Sequence, residues 1–410
     1  MHGATGAIRC CMMQSLRELY KIGKGPSSSH TMGPERAAKD FLSRTQGAAR
    51  YRVVLQGSLA RTGRGHLTDR AVLGVLPEGR TEVVFDCEAK ALLHPNTLVM
   101  TAYDAAGAEL LSVTYLSVGG GTVREAGAAP VAAEEIYPFA DFSELRSFCE
   151  REGTALADVA FRFEDAAFHQ YLAAVWESMK ATIQRGLTRE GLLPGALRVE
   201  RKAATLYRAY LADPDDHTRL VCSYAYATAE ENASGGTVVT APTCGASGVL
   251  PAVLLYLQRR DGLSDERILR ALATGGLVGN VVKTNASVSG AEAGCQAEIG
   301  TATAMAAAAV SALSEQSLEI VEYAAEIALE HQLGLTCDPV GGYVQIPCIE
   351  RNAVAAMRAL DSADLAGVLS GTRKISFDLV VKTMYETGRD LNERYRETSE
   401  GGLASGYKVC

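Results

Sequence analysis

Residues 293–313 read AGCQAEIGTATAMAAAAVSAL. Nearly every side chain is small. Alanine is the strongest helix former, and small side chains let helices approach closely, so the stretch reads as a helix packed tightly among others. Its most apolar part, ATAMAAAAVSAL (302–313), falls short of the roughly 18 continuous apolar residues of a membrane span. From about residue 186 onward the texture stays nearly all helical, rich in alanine and glycine. Three glycine-rich stretches, SGGTVVTAPTCGASG (234–248), TGGLVGN (274–280) and DPVGGYVQ (338–345), are expected as breaks between helices, where backbone comes near a ligand.

Upstream the pattern changes. After the loop GPSSSH (25–30) comes a helix signal, PERAAKDFLSRTQ (34–46), with proline in its first turn. Strand-like runs follow: YRVVLQG (51–57), TEVVFDC (81–87), NTLVMTAYD (96–104) and ELLSVTYLSVG (109–119), alternating and β-branched. The last two read as a hairpin with AAG at its turn, and GGGTV (119–123) is expected to end the sheet. Helical stretches such as EDAAFHQYLAAVWESMKATIQRG (164–186) then join the two textures. The expected class is α+β: a small N-terminal α/β domain over 13–140, a helical connector over 141–185, and a mostly all-α domain over 186–410. Residues 1–12 read as a loose extension, in which Cys10 and Cys11 have no expected role.

The chain has 410 residues, 47% hydrophobic and 21% charged, with a net charge of −8. No basic block interleaved with aromatics stands out, which argues against nucleic acid as a partner. No membrane span is expected. The N-terminus lacks a long apolar core and a cleavage pattern, so no secretory signal is read there and a cytoplasmic protein is expected.

Ten cysteines need a reason. In a reducing compartment they are buried small hydrophobes, metal ligands or catalytic thiols rather than a disulfide frame. Cys87, Cys149 and Cys222 lie in regular apolar or helical contexts and read as buried filler. Cys295, Cys337 and Cys348 lie in glycine- or proline-bounded segments. Their spacing matches neither a zinc ribbon nor a bacterial ferredoxin run. Soft thiolates gathered from separate loops suit an iron–sulfur cluster; packing cysteines are the alternative. Of the seven histidines, His2 lies in the extension, His94 precedes a proline at a strand entry, and His169, His217 and His331 lie in helical or linker contexts. His30 and His66 lie in polar, glycine-flanked loops, and a neutral imidazole near pH 7 can accept a proton. Ser27, Ser28, Ser29 and Thr31 form a dense hydroxyl set suited to a carboxylate or ammonium group. Asn285, Ser287 and Ser289 form a second polar set, with Lys283 beside it to balance a carboxylate or a cluster's charge.

KGPSSSHTMGPERAA (24–38), APTCGASGVLPAVL (241–254), NASVSGAEAGCQAEIG (285–300), LTCDPVGGYVQIPCIERNA (335–353) and ETSEGGLA (397–404) resemble the iron–sulfur-dependent L-serine dehydratases. The likeness runs in order over nearly the whole chain from Met13. It implies a small α/β beta domain fused to an all-α, cluster-binding alpha domain that carries the catalysis. It implies a [4Fe–4S] cluster held by Cys295, Cys337 and Cys348, with the C-terminal Cys410 on the fourth iron until substrate displaces it. It implies dehydration of L-serine to pyruvate and ammonia, with the cluster as Lewis acid, by a homodimer. His66 is the implied base, since HLTD (66–69) resembles the family's HGTD segment. Thr68 and Asp69 are retained there, whereas Leu67 stands where glycine is usual. His30 then helps to bind substrate or to orient the leaving group. Cys244, in APTCGASG, is assigned to the active-site wall rather than to the ligands. L-Serine is expected to sit between the two halves.

Other readings remain. A pyridoxal-phosphate dehydratase would need a Schiff-base lysine and a phosphate loop, and neither motif is persuasive. A related lyase acting on L-cysteine or another β-substituted amino acid, or a non-catalytic metal-bound serine sensor, fits the same residues. A separate regulatory serine site in the α/β half is a weaker expectation.

Overall fold

The computed structural model describes residues 13–128, 135–369 and 371–407. Five strands form one sheet: β1 (Arg50–Gly57), β2 (Thr81–Asp86), β3 (Asn96–Tyr103), β4 (Glu109–Ser117) and β5 (Val123–Glu125), in the order β2-β1-β3-β4-β5. Only β1 and β2 run parallel. Alternation decides the buried face: Tyr51, Val53 and Leu55 point inward from β1, beside Leu98, Met100 and Ala102 of β3. Helix α1 (Gly33–Arg44) closes that face with Ala37, Ala38 and Phe41. The expected hairpin is present, its turn fixed by the Asp104 carboxylate accepting from the amides of Ala106 and Ala108. The sheet does not end at GGGTV: the Val118 N–H donates to the Thr122 carbonyl across Gly119–Gly121, the Thr122 N–H donates to the Gly119 carbonyl, and β5 continues the ladder.

The rest is mostly helical, so the α+β class holds. Helix α2 (Thr301–Leu313) lies at the centre of the helical core, with almost every residue buried. One expectation fails here. TGGLVGN is no break but the middle of helix α3 (Asp265–Asn285). Its glycines serve packing, since a Cβ on Gly275 would sit 2.7 Å from the Met305 carbonyl of α2 and one on Gly279 would meet the Met305 sulfur at 2.6 Å. Contact between two helix backbones outweighs the ~1 kcal/mol that glycine costs in a helix. Among the described residues no helix is long and apolar enough to cross a membrane.

The N-terminal segment belongs to the helical core in space. Met13, Leu16, Leu19 and Tyr20 are buried in it, and the Tyr20 hydroxyl donates to the Leu272 carbonyl. The strand Ile22–Lys24 then pairs antiparallel with Thr237–Val239. The chain thus leaves the helical half at Lys24 and delivers GPSSSH to the junction of the two halves. Cys149 is buried as expected and Cys222 half-buried, but Cys87 is exposed just beyond β2. It follows the last paired residue, where the sheet no longer covers it.

Candidate active site

Six chain segments meet at one small cleft. Pro26, Ser27, His66, Gly245, Cys295, Glu298, Cys337, Cys348 and Glu397 are among the residues that line it. Cys295 follows Gly294, which has φ +73°, and opens the wide turn Gln296–Gly300 that runs on into α2. Cys348 is the first residue of helix α4 (Cys348–Val368). Cys337 is held by backbone on both sides: its N–H donates to the Tyr395 carbonyl, and its carbonyl accepts from the Glu397 N–H, each at 2.8 Å. Cys295, Cys337 and Cys348, distant in sequence, therefore face one space.

Arg351, one turn into α4, lies beside them. Its guanidinium donates to the Thr336 carbonyl at 2.7 Å and pairs with Asp338. Contact with Cys337, together with the Arg351 charge, pushes the Cys295 thiol down against its burial. The same contact, then burial, pushes Cys337 up. Burial also pushes up Cys348 and, first among its causes, Glu298, which the Cys295 charge raises further. Glu298 is thus shifted toward its protonated form.

The opposite wall comes from the α/β half. Ser27 caps the turn Ser28–Met32 by accepting from the His30 amide. His30 is fully buried behind the cleft. The Ser58 hydroxyl donates to the Glu397 carbonyl at 2.6 Å, so it accepts from His30 Nε2, 3.0 Å away. His30 Nδ1 then accepts from the Ser29 hydroxyl at 2.9 Å. Burial pushes His30 down to about 4, against the pull of Glu397, so it is neutral. His66 stacks on His30 with ring centroids 4.4 Å apart. Its Nδ1 faces the Thr62 carbonyl at 3.0 Å. That acceptor places the N–H on Nδ1 and leaves Nε2 open toward the cleft. Glu397 Oε1 lies 3.4 Å from His66 Nε2 and 3.5 Å from His30 Nδ1. Burial alone would raise Glu397, whereas a proton on either facing imidazole pulls the carboxylate below its usual range. His30, His66 and Glu397 form the one group among the described residues whose donor atoms come within single-ion reach of each other.

The remaining expected residues divide. Thr31 supports His66 by donating to its carbonyl at 2.8 Å, and the Ser29 carbonyl accepts from Ser117. Ser28 and Thr68 are buried near the loop, and the Asp69 carboxylate turns to the Arg70 amide. Leu67 takes a left-handed conformation, φ 56° and ψ 32°, which explains why glycine suits that position. Lys283, Asn285 and Ser287 do not reach this cleft. Lys283 donates to Gln14 and to the Glu18 carbonyl, Asn285 to Ala140, and Ser287 to Glu292, which also pairs with His94 at 2.9 Å. Lys283 and Ser287 line a separate cleft beside the sheet and Asn285 is exposed, because α3 carries this stretch past the site before the chain turns back to Cys295. Cys244 is buried against Met32, its sulfur 3.4 Å from that of Met32, while its neighbour Gly245 lines the cleft. Cys410 lies outside the described residues.

Two residues escaped the sequence reading, Glu298 and Glu397. Both sit inside motifs that drew attention for other reasons, CQAEIG and ETSEGG. The available signal was an acid in a segment otherwise made of small residues.

Residues 15–79 match the family model of the serine dehydratase beta chain, and residues 81–404 that of the serine dehydratase alpha chain. The border falls just before β2, so the single sheet spans both matches. Over 97% of its length the chain is 42% identical to the L-serine dehydratase of Streptomyces coelicolor, covering 100% of that protein. It is 41% identical to the L-serine dehydratase of Haemophilus influenzae and to L-serine dehydratase 1 of Escherichia coli, each over 96% of this chain and 99% of the relative.

Proposed function

The chain belongs to the serine dehydratase family, and from that premise we propose that it converts L-serine to pyruvate and ammonia at the cleft, with a [4Fe–4S] cluster on Cys295, Cys337 and Cys348. The observation that carries this reading is the meeting of three cysteines, two buried and Cys348 half-buried, with an open His66 Nε2 across one space. The donor set fits the group: soft sulfur ligands from separate segments, the Cys295 thiol pushed down, with Arg351 to offset negative charge. When bound, the cluster supplies Lewis acidity toward the carboxylate and hydroxyl of the substrate.

The protein residues do the rest. His66 Nε2 takes the α-proton, because its other nitrogen is committed to the Thr62 carbonyl. Glu397, beside Nε2, stabilises the imidazolium that forms. His30 stays neutral and holds the His66 ring by stacking. Ser27 offers its hydroxyl to the substrate from the wall of the cleft. Loss of the α-proton and the hydroxyl leaves aminoacrylate, which tautomerises to the imine and hydrolyses to pyruvate and ammonia. Within the same reading Cys410 is the displaceable fourth ligand, the beta and alpha domains meet at the cleft, and the protein is a cytoplasmic homodimer.

The test is iron and acid-labile sulfide on anaerobically purified protein, with L-serine turnover on the same sample. About four of each per chain, with pyruvate release that fades in air, is the expected result. Turnover without iron would overturn the cluster; iron without turnover would overturn the substrate.

A further inference from the structure

Glu397 is more than nine-tenths buried, lines the cleft, and has one carboxylate oxygen, Oε2, without any hydrogen-bond partner. A buried, unpaired carboxylate oxygen is costly unless something satisfies it. Its other oxygen faces the two imidazoles; the Ala291 amide also lies near the carboxylate, yet Oε2 completes no hydrogen bond, so it is left for a ligand. We propose that Glu397 is the receptor for the α-ammonium group of the substrate, and so the residue that selects an amino acid over other 3-hydroxy acids. This rests on the serine reading given above.

Several features support the assignment. The other acids near the cleft are otherwise engaged. Asp338 is taken up by Arg351 and by the Leu403 amide. Glu298 belongs to the cysteine side: a Cβ on Gly290 would meet both Glu298 Oε2, at 2.7 Å, and Cys337 Sγ, at 3.1 Å. An ammonium on Glu397 leaves the carboxylate and hydroxyl of the same small molecule free to face the cysteines. It also brings the α-carbon, one bond from the nitrogen, beside His66 Nε2, the atom 3.4 Å from Oε1. The backbone is built to hold the carboxylate there. Glu397 has φ +59°, a conformation that a glutamate adopts only when its surroundings impose it. Ser58 grips its carbonyl, Cys337 takes its amide, and Arg61 pairs with Glu393 and Glu400 on either side.

The experiment compares L-serine with 3-hydroxypropanoate, which is serine with hydrogen in place of the ammonium, on the anaerobic holoenzyme. Wild-type protein is expected to bind the ammonium-free analogue, as a competitive inhibitor, about tenfold or more weakly than L-serine. Glu397→Gln is expected to raise the KM for L-serine about tenfold or more and to leave the Ki of 3-hydroxypropanoate within about twofold, the loss expected of a charge-assisted pair. Glu397→Asp should recover part of the preference. If the Gln variant has no turnover, equilibrium dialysis with labelled L-serine reads the same affinity. Equal binding of the two compounds by wild-type protein overturns the proposal without needing a variant. So does a Gln variant that weakens both ligands alike, or one that lowers kcat at unchanged KM. Those outcomes leave serine turnover by the wild type standing, whereas a wild type inactive on L-serine would bring down both readings.

Discussion

The two walls of the cleft are built differently. The cysteine wall lies within one helical core: Cys295 runs into α2, Cys348 starts α4, and Arg351 is on the same helix as Cys348. The histidine wall depends on the fit of two halves. At that junction the chains touch backbone to backbone, since a Cβ on Gly65 would lie 2.3 Å from the Gly342 carbonyl oxygen. The segment 393–400 then ties the halves together, bonded to Ser58 and Arg61 on one side and to Cys337 on the other. The cysteine side thus rests on local packing, whereas the placement of the imidazoles depends on docking. Substitutions should separate the two.

The largest effect is expected at Cys337. Cys337→Ser should remove iron and L-serine turnover together, as iron analysis and pyruvate assay would read; full activity in this variant would break the division. His66→Ala should lower kcat about 10²–10⁴-fold while iron content stays at the wild-type level, since the cysteine wall does not need the imidazole. Ser58→Ala removes the hydroxyl that links His30 to the Glu397 carbonyl. With about 1 kcal/mol per hydrogen bond, kcat/KM should fall roughly fivefold to tenfold at unchanged iron content. If iron falls as well, the walls are coupled more tightly than their packing indicates. The smallest effect is expected from Leu67→Gly. It relieves a left-handed leucine, worth about 1–2 kcal/mol, but loosens the unfolded chain by about 0.4–1 kcal/mol and gives up the half-buried side chain. Thermal unfolding should shift by only a few degrees in either direction.

Much of this architecture could be read from local pattern. Alternation in YRVVLQG marked a strand that does alternate in burial, NTLVMTAYD marked a central strand buried over most of its length, and the small-residue run at 302–313 marked a buried helix. TGGLVGN shows the limit: glycine signals both chain breaks and close helix contacts, and only the neighbour, Met305, decides which. Lys283, Asn285 and Ser287 teach the same lesson for function. They lie within 12 residues of Cys295 in sequence, yet helix α3 carries them away from its cleft.

Residue chemistry was therefore legible in the sequence alone: soft thiols at Cys295, Cys337 and Cys348, imidazoles in two polar loops, and two textures joined in one chain. Which of these groups share a space was decided only by tertiary structure. Glu397 is 331 positions from His66 in the chain (397 − 66) and 3.4 Å from it in the fold. No local periodicity encodes that distance. It follows from how the helical core seats the segment 393–400 against the α/β half, and packing over such separations depends on the whole set of buried contacts rather than on any stretch of sequence.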